Sequence, residues 1–210
     1  KVKSVADEIK DNGGSAIAIE CDVKNKDSIK TSIDLTISEF SGINFLVNNA
    51  QEVPLGNLLQ VSDDAFEAGW MSGPLATFHF MKQCHPFLKG GGKIINLASS
   101  SALRADSEGY GAYAAVKEAI RALSRTAAVE WGPDNILVNC IMPLAKSTGM
   151  EWWMNERPEE AAEFVKTIPL GRVGDCKDDI GEAVCHLLSE GMSYVTGSTI
   201  MIDGGQAFLR

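Results

Sequence analysis

What this 210-residue chain lacks narrows its reading. No apolar run is long enough to span a bilayer. Acidic residues outnumber basic ones, 28 to 19, for a formal charge of -9, and no basic stripe is visible. That balance argues against non-specific nucleic-acid binding. Five cysteines (Cys21, Cys84, Cys140, Cys176, Cys185) are odd in number and have no C-x-x-C spacing. They read as buried thiols of a reducing compartment, not as a disulfide frame. His79, His85 and His186 form no ligand motif, so no metal site is expected. No secretory leader pattern is found, and the expected location is the cytoplasm. There is no opening methionine either. The chain starts at Lys1 inside a helical pattern (Val2, Val5, Ala6, Ile9) and reads as the continuation of something.

What is present is an alternation of strand and helix patterns. A helix through about residue 11 stops at Gly13-Gly14. Short apolar runs of strand type follow at 15–23, 43–47, 93–98, 136–142 and 199–202. Helical patterns lie between them, with Asn25 and Ser62 as caps and Pro74 expected to kink or restart the helix over 62–88. Residues 144–168 read as a loop with short helices, and 178–189 as a helix. Continuously apolar strands alternating with helices predict an α/β fold: one doubly wound, Rossmann-like parallel sheet. Such folds bind ligands at the carboxyl ends of their strands. There this chain places Asp22, Asn48-Asn49-Ala50, Ser99-Ser100-Ser101 and Pro143 to Thr148.

The chemistry is expected in the stretch from Gly109 to Lys117. Tyr113 and Lys117, four residues apart on a helix, share one face. An ammonium beside a phenol favours the phenolate, and a tyrosine tuned that way serves as acid or base near neutral pH. A surface tyrosine and lysine at helical spacing is the bland alternative.

Together, in order, these clusters resemble the short-chain dehydrogenase/reductase family. Asn48-Asn49-Ala50 follows a strand, Ser99 follows the next, and Tyr113-x-x-x-Lys117 comes 14 residues later. Pro143 and Thr148 follow another strand, and the chain ends near Ile202-Asp203-Gly204-Gly205. The resemblance implies an NAD- or NADP-dependent oxidoreductase acting on a small-molecule alcohol or carbonyl, with no nucleic-acid or membrane partner. It implies a homo-oligomer, tetramer or dimer, packed through the helical stretches 63–88 and 109–131. Tyr113 would pass the proton, Lys117 would tune it and hold the nicotinamide ribose, and Ser99, with Ser100 competing, would hold the substrate oxygen. Asp22, Val23, Asn48 and Ala50 would line the adenosine side. Pro143, Lys146 and Thr148 would hold the nicotinamide end. Structural alternatives stand beside these roles: a solvated loop acid for Asp22, a strand-end turn for Asn48, a strand stop for Pro143. Trp152 and Trp153, with Met150 and Met154, fall where the family has a substrate lid, or else pack as ordinary core or at a subunit contact.

Four departures stand out. The family's opening strand, glycine-rich turn and next strand are absent from this sequence, so residues 1–210 read as a single domain missing its first βαβ portion; the expectation is that the full protein has it. Gly73 stands where the family has a catalytic asparagine, which would leave the proton path to water or Ser72. Gln51 replaces the glycine after Asn-Asn-Ala. Leu144 follows Pro143 in place of glycine, and Lys146 replaces a small apolar residue. Gly73, Gln51 and Leu144 motivate the alternative of an inactive dinucleotide-binding scaffold; a non-redox lyase on the same fold, such as the halohydrin dehalogenases, is a further one. Lys117, where those lyases carry arginine, argues against the lyase.

Overall fold

The computed structural model describes residues 2–103, 105 and 108–207. Lys1 lies outside them. Among the described residues four strands form one sheet: β1 Phe45–Asn48, β2 Lys93–Leu97, β3 Leu137–Pro143 and β4 Thr199–Ile202. They pair in the order β1-β2-β3-β4, all parallel. Each connection crosses over through helix, as parallel pairing requires.

On one face lie α2 (Lys26–Phe40), α4 (Ala76–Leu88) and α5 (Gly111–Trp131); on the other lies α8 (Glu182–Leu188). Side chains alternate along each strand and so divide between the two layers. Ile94 packs with Ile29, Ile33, Met81 and Leu88, whereas its neighbour Ile95 packs with Ile141 and Leu187. Burial of β2 on both faces explains its unbroken apolar run.

Local signals fix the helix ends. The Asn25 side chain accepts from the Asp27 and Ser28 N–H groups, and Ser62 accepts from Ala65 at the start of α3 (Asp63–Trp70). One expectation needs correction and another is refined. Residues 15–23 form no strand, although Ile17, Ile19 and Cys21 are half-buried. An apolar run becomes a strand only with a ladder to join, and none of the described strands lies beside it. Pro74 does interrupt the α-helix, but not by a break in the chain's helical course. A π-helical turn, Met71–Leu75, carries the chain from α3 into α4. The wider turn accommodates a residue that has no N–H to donate.

The segment after β3 folds into α6 (Thr148–Glu156) and α7 (Pro158–Lys166). Trp153 stacks edge-on against Phe164, with ring centroids 5.7 Å apart, and ties the two helices together. Beyond β4, buried Asp203 accepts from the Gly205 and Ala207 N–H groups. Gly204 and Gly205 turn at φ +66 and +86, and a Cβ on Gly204 would stand 2.9 Å from Ile168. The terminal Asp-Gly-Gly thus props the segment leaving α7.

Two edges are apolar and open. Phe45 and Val47 of β1 are exposed, and so are Val2, Val5 and Ile9 of α1 (Val2–Asp11). The cysteines also divide: Cys84 and Cys140 are buried, Cys21 is half-buried, but Cys176 and Cys185 are exposed, contrary to the reading of all five as buried. No described helix is long and apolar enough to cross a membrane.

Candidate active site

A cavity of about 630 Å³ opens at the carboxyl ends of β2 and β3. Ser99, Tyr113, Lys117, Pro143, Lys146 and Thr148 all line it. Strand ends supply Ser99 and Pro143, and α5 supplies Tyr113 and Lys117 one turn apart. Thus six residues singled out in sequence, spread over 50 positions, meet in one space. Asn49, Gln51, Glu151 and Cys176 line it too. Asn49 follows the position the sequence pattern pointed to, and Cys176 comes from a segment with no motif to announce it.

Tyr113 is hydrogen-bonded to Ser99, which favours its phenolate, but burial dominates and pushes the phenol above its ordinary range; nearby Tyr110 adds to the rise. Lys117 is buried, and burial pushes its ammonium down to about 8. Its Nζ lies 5.6 Å from the centre of the Tyr113 ring and donates to the Leu97 carbonyl at 2.6 Å. The expected lowering of the tyrosine by its lysine is therefore not what this geometry produces. The ammonium faces the ring and a backbone carbonyl, and desolvation of the phenol prevails.

The loop after β3 is held from below. Ala145 bridges to Gly174, Lys146 N–H donates to the Gly174 carbonyl at 2.9 Å, and Ser147 caps α6 through the Met150 N–H. Arg172 grips Asp179 with two hydrogen bonds, at 2.5 and 2.8 Å, and Asp179 also accepts from Asp175 N–H. The bidentate pair draws the Asp179 carboxyl well below its usual range.

The remaining sequence candidates lie elsewhere. Asn48 points beneath the cavity floor, where it donates to Asn96 at 2.7 Å. Asp22 lies in a separate open depression with Lys24, Lys26 and Asp64. It accepts from Lys24 N–H, and the Lys24–Glu52 ion pair, 2.5 Å, joins this loop to the one after β1. Val23 and Ala50 are not in the cavity wall lined by Tyr113. Ser72 is committed to structure: its hydroxyl donates to Ala68 and accepts from Glu52 N–H, so it has no free proton to relay.

Below the cavity runs a polar row that the sequence reading missed. Asn48, Asn96, Cys140 and Thr199 are successive partners across all four strands. Asn96 donates to Ser124 of α5 at 2.7 Å, and the Cys140 thiol donates to the same hydroxyl at 3.1 Å. Asn48, Asn96, Cys140 and Thr199 are polar or small residues of largely apolar strands, and that is the signal that could have revealed the row. Burial raises the Cys140 thiol, so it stays protonated.

Residues 1–207 match the family model described as enoyl-(acyl carrier protein) reductase. The chain is 40% identical over 184 residues to 12alpha-hydroxysteroid dehydrogenase of Clostridium sp., spanning 87% of this chain and 71% of that protein. It is 35% identical to dehydrogenase/reductase SDR family member 4 of Caenorhabditis elegans, over 94% of this chain and 78% of the relative. Among solved structures it is similar to a 7 alpha-hydroxysteroid dehydrogenase complexed with NADH and 7-oxo glycochenodeoxycholic acid. That match has a TM-score of 0.91 and 27% identity and covers 98% of this chain and 80% of the other. It is also similar to a blue fluorescent protein from a metagenomic library in complex with NADPH: TM-score 0.89, 29% identity, coverage 99% and 82%.

Proposed function

Because the chain belongs to the short-chain dehydrogenase/reductase family, we propose that its Tyr113 cavity is where an NAD(P)-dependent oxidoreductase interconverts a secondary alcohol and its ketone. The observation that carries this reading is the meeting of Ser99, Tyr113 and Lys117 in one cavity, with Ser99 hydrogen-bonded to the phenol.

The nicotinamide end of the cofactor fits the residues present. Lys117 has three donors, and the Leu97 carbonyl takes one, which leaves the ammonium able to hold ribose hydroxyls. Asn49, Pro143, Lys146 and Thr148 would line the nicotinamide side, and Asp22, Val23, Asn48 and Ala50 the adenosine side. When bound, NAD(P) supplies or accepts the hydride.

The protein's own part is proton transfer and positioning. Ser99 holds the substrate oxygen beside the phenol. In reduction, Tyr113 gives its proton to that oxygen; in oxidation, the phenolate takes the alcohol proton. The raised phenol suits Tyr113 to the donor role at neutral pH. Lys117 then stabilises the phenolate left behind, because its charge matters most when the ring becomes anionic. Helix α6, which brings Thr148 and Glu151 to the cavity and carries largely exposed Trp152, serves as a lid that limits water around the reacting oxygen.

For substrate class, the names of the 40% identical relative and of the bile-acid complex support a hydroxysteroid or an alicyclic alcohol of similar bulk. Exposed Trp70, Phe78 and Val129 on α3, α4 and α5 support association of copies through these helices. The deciding experiment is a screen of oxosteroids and small ketones with NADH and NADPH, alongside Tyr113→Phe. Turnover by the wild type that vanishes in the variant is expected. A variant as active as the wild type overturns the mechanism, and a wild type inert to every substrate favours the scaffold reading.

A further inference from the structure

Tyr113 stands in the first turn of α5, three residues past the N-cap, and the local sequence does little to secure that turn. The N-cap is Tyr110, whose side chain makes no capping hydrogen bond, and the first helical residue is Gly111. Such a start leaves N–H groups without a side-chain partner and is the part of a helix that frays. The loop after β1 supplies what is missing. Residues 51–61 form neither helix nor strand, yet they are fastened at both sides. On one side Glu52 N–H donates to Ser72 at 2.9 Å, and buried Pro54 fills the space over Gly69 of α3, where a Cβ would stand 2.6 Å from the proline Cγ. On the other side Gly56 N–H donates to the Gly109 carbonyl at 2.9 Å. Gly109 turns at φ +79, and a Cβ on it would stand 3.2 Å from the Gly56 carbonyl carbon, so the two segments meet main chain to main chain. Leu58 lies against Gly111, where a Cβ would stand 3.1 Å from Leu58 Cδ2. The turn that presents Leu58 is closed by Gln60 and Val61, whose N–H groups both donate to the Asn57 carbonyl, at 2.7 and 2.9 Å.

We propose that the loop after β1 is a brace that sets the position of Tyr113, with Gly56 and Leu58 as positioning residues that act on the phenol through Gly109 and Gly111. Leu58 is 73% exposed, too open to serve the core; what it covers is the start of the helix that carries Tyr113. Gly56 and Leu58 are outside the cavity wall, whereas Val53 of the same loop lines it, so the brace also ties that wall to the helix start. The inference rests on the proposed oxidoreductase reading.

The test compares Leu58→Ala, Leu58→Met and Gly109→Ala with the wild type. Leu58→Ala trims an exposed side chain and should leave the melting temperature nearly unchanged. It should lower kcat roughly tenfold with little change in KM, because small misplacements of a reacting group slow turnover steeply. A loosened first turn opens Tyr113 to water, and burial is the chief reason its phenol titrates high. The phenol midpoint should therefore fall toward its ordinary range, read by ultraviolet titration of the cofactor-free protein against Tyr113→Phe. Leu58→Met keeps an apolar side chain of similar reach and should restore both readings. Gly109→Ala forces the two backbones apart and should lower kcat and the midpoint at least as far as Leu58→Ala. Wild-type kcat and an unmoved midpoint in Leu58→Ala overturn the proposal. So does a change confined to KM, which would make Leu58 a substrate contact, and so does a loss that Leu58→Met fails to repair. Wild-type turnover in the same assay separates these outcomes from failure of the functional reading. Were the wild type inert, the titration of the cofactor-free protein still decides whether the brace holds Tyr113.

Discussion

Lys117 donates to the Leu97 carbonyl, 2.6 Å away, at the last residue of β2. The contact fixes the ammonium on the sheet rather than on the phenol, one turn back along α5. It separates two duties that the sequence spacing merges: anchoring the lysine and stabilising a charge that exists only during reaction.

Lys117→Met should therefore remove turnover while raising stability at neutral pH. The folded-state lysine titrates at about 8 against an ordinary 10.5. The unfolded chain binds the extra proton between those values, so folding stability rises with pH across that window. Below it the buried charge costs on the order of 3 kcal/mol, partly offset by the Leu97 hydrogen bond lost in the variant. Melting curves at pH 7 and pH 10 should show the gain of the variant shrinking toward the alkaline end. A gain that grows with pH contradicts the assignment.

The direction of reaction should depend on pH in opposite senses. The Tyr113 phenol is held above its ordinary range, chiefly by burial. Its protonated form, which serves reduction, dominates at neutral pH. Oxidation needs the phenolate and should accelerate as pH rises. Profiles of kcat/KM for both directions report these groups in the free enzyme; an oxidation rate indifferent to pH across the neutral and alkaline range would count against Tyr113 as the proton carrier.

Ser99→Ala should lower kcat roughly a hundredfold and should also raise the Tyr113 phenol further, because the hydrogen bond that opposes its rise is gone. Ultraviolet titration reads the second effect without substrate. A phenol that moves down in this variant would exclude the Ser99 contact.

Asn96→Leu should be costly although it places an apolar side chain in a fully buried site. Asn96 accepts from Asn48 and donates to Ser124. Removing it leaves the Asn48 amide without its acceptor, at about 1–3 kcal/mol, while Ser124 keeps its bonds to Ile120 and Cys140. Urea denaturation should show a lower midpoint with an unchanged slope.

The parts of this molecule legible in its sequence were those encoded by local spacing. Asn25 and Ser62 announce their helices, the apolar runs announce β1 to β4, and Tyr113, Lys117, Ser99 and Pro143 are placed by their position relative to strand ends. What local pattern could not carry is set by neighbours distant in the chain. Residues 15–23 have a strand-like composition, but a ladder partner makes a strand. Pro74 signals a break, yet whether the helix stops or widens depends on what packs around it. The direction of the Tyr113 shift depends on burial by the surrounding fold, and the contact of Leu58 with Gly111 joins residues far apart in the chain.

The row Asn48–Asn96–Cys140–Thr199 has a consequence for how the sheet is assembled. Most strand residues are interchangeable aliphatics, which would tolerate a strand sliding along its neighbour. The row does not tolerate it: a slip of one position turns Asn96 toward α8 and leaves Asn48, Ser124 and Cys140 without it. One polar line across an oily sheet thus acts as an alignment pin. Because Ser99 and Pro143 stand at the ends of the strands it pins, the spacing of the reactive groups is decided while the sheet is being zipped together.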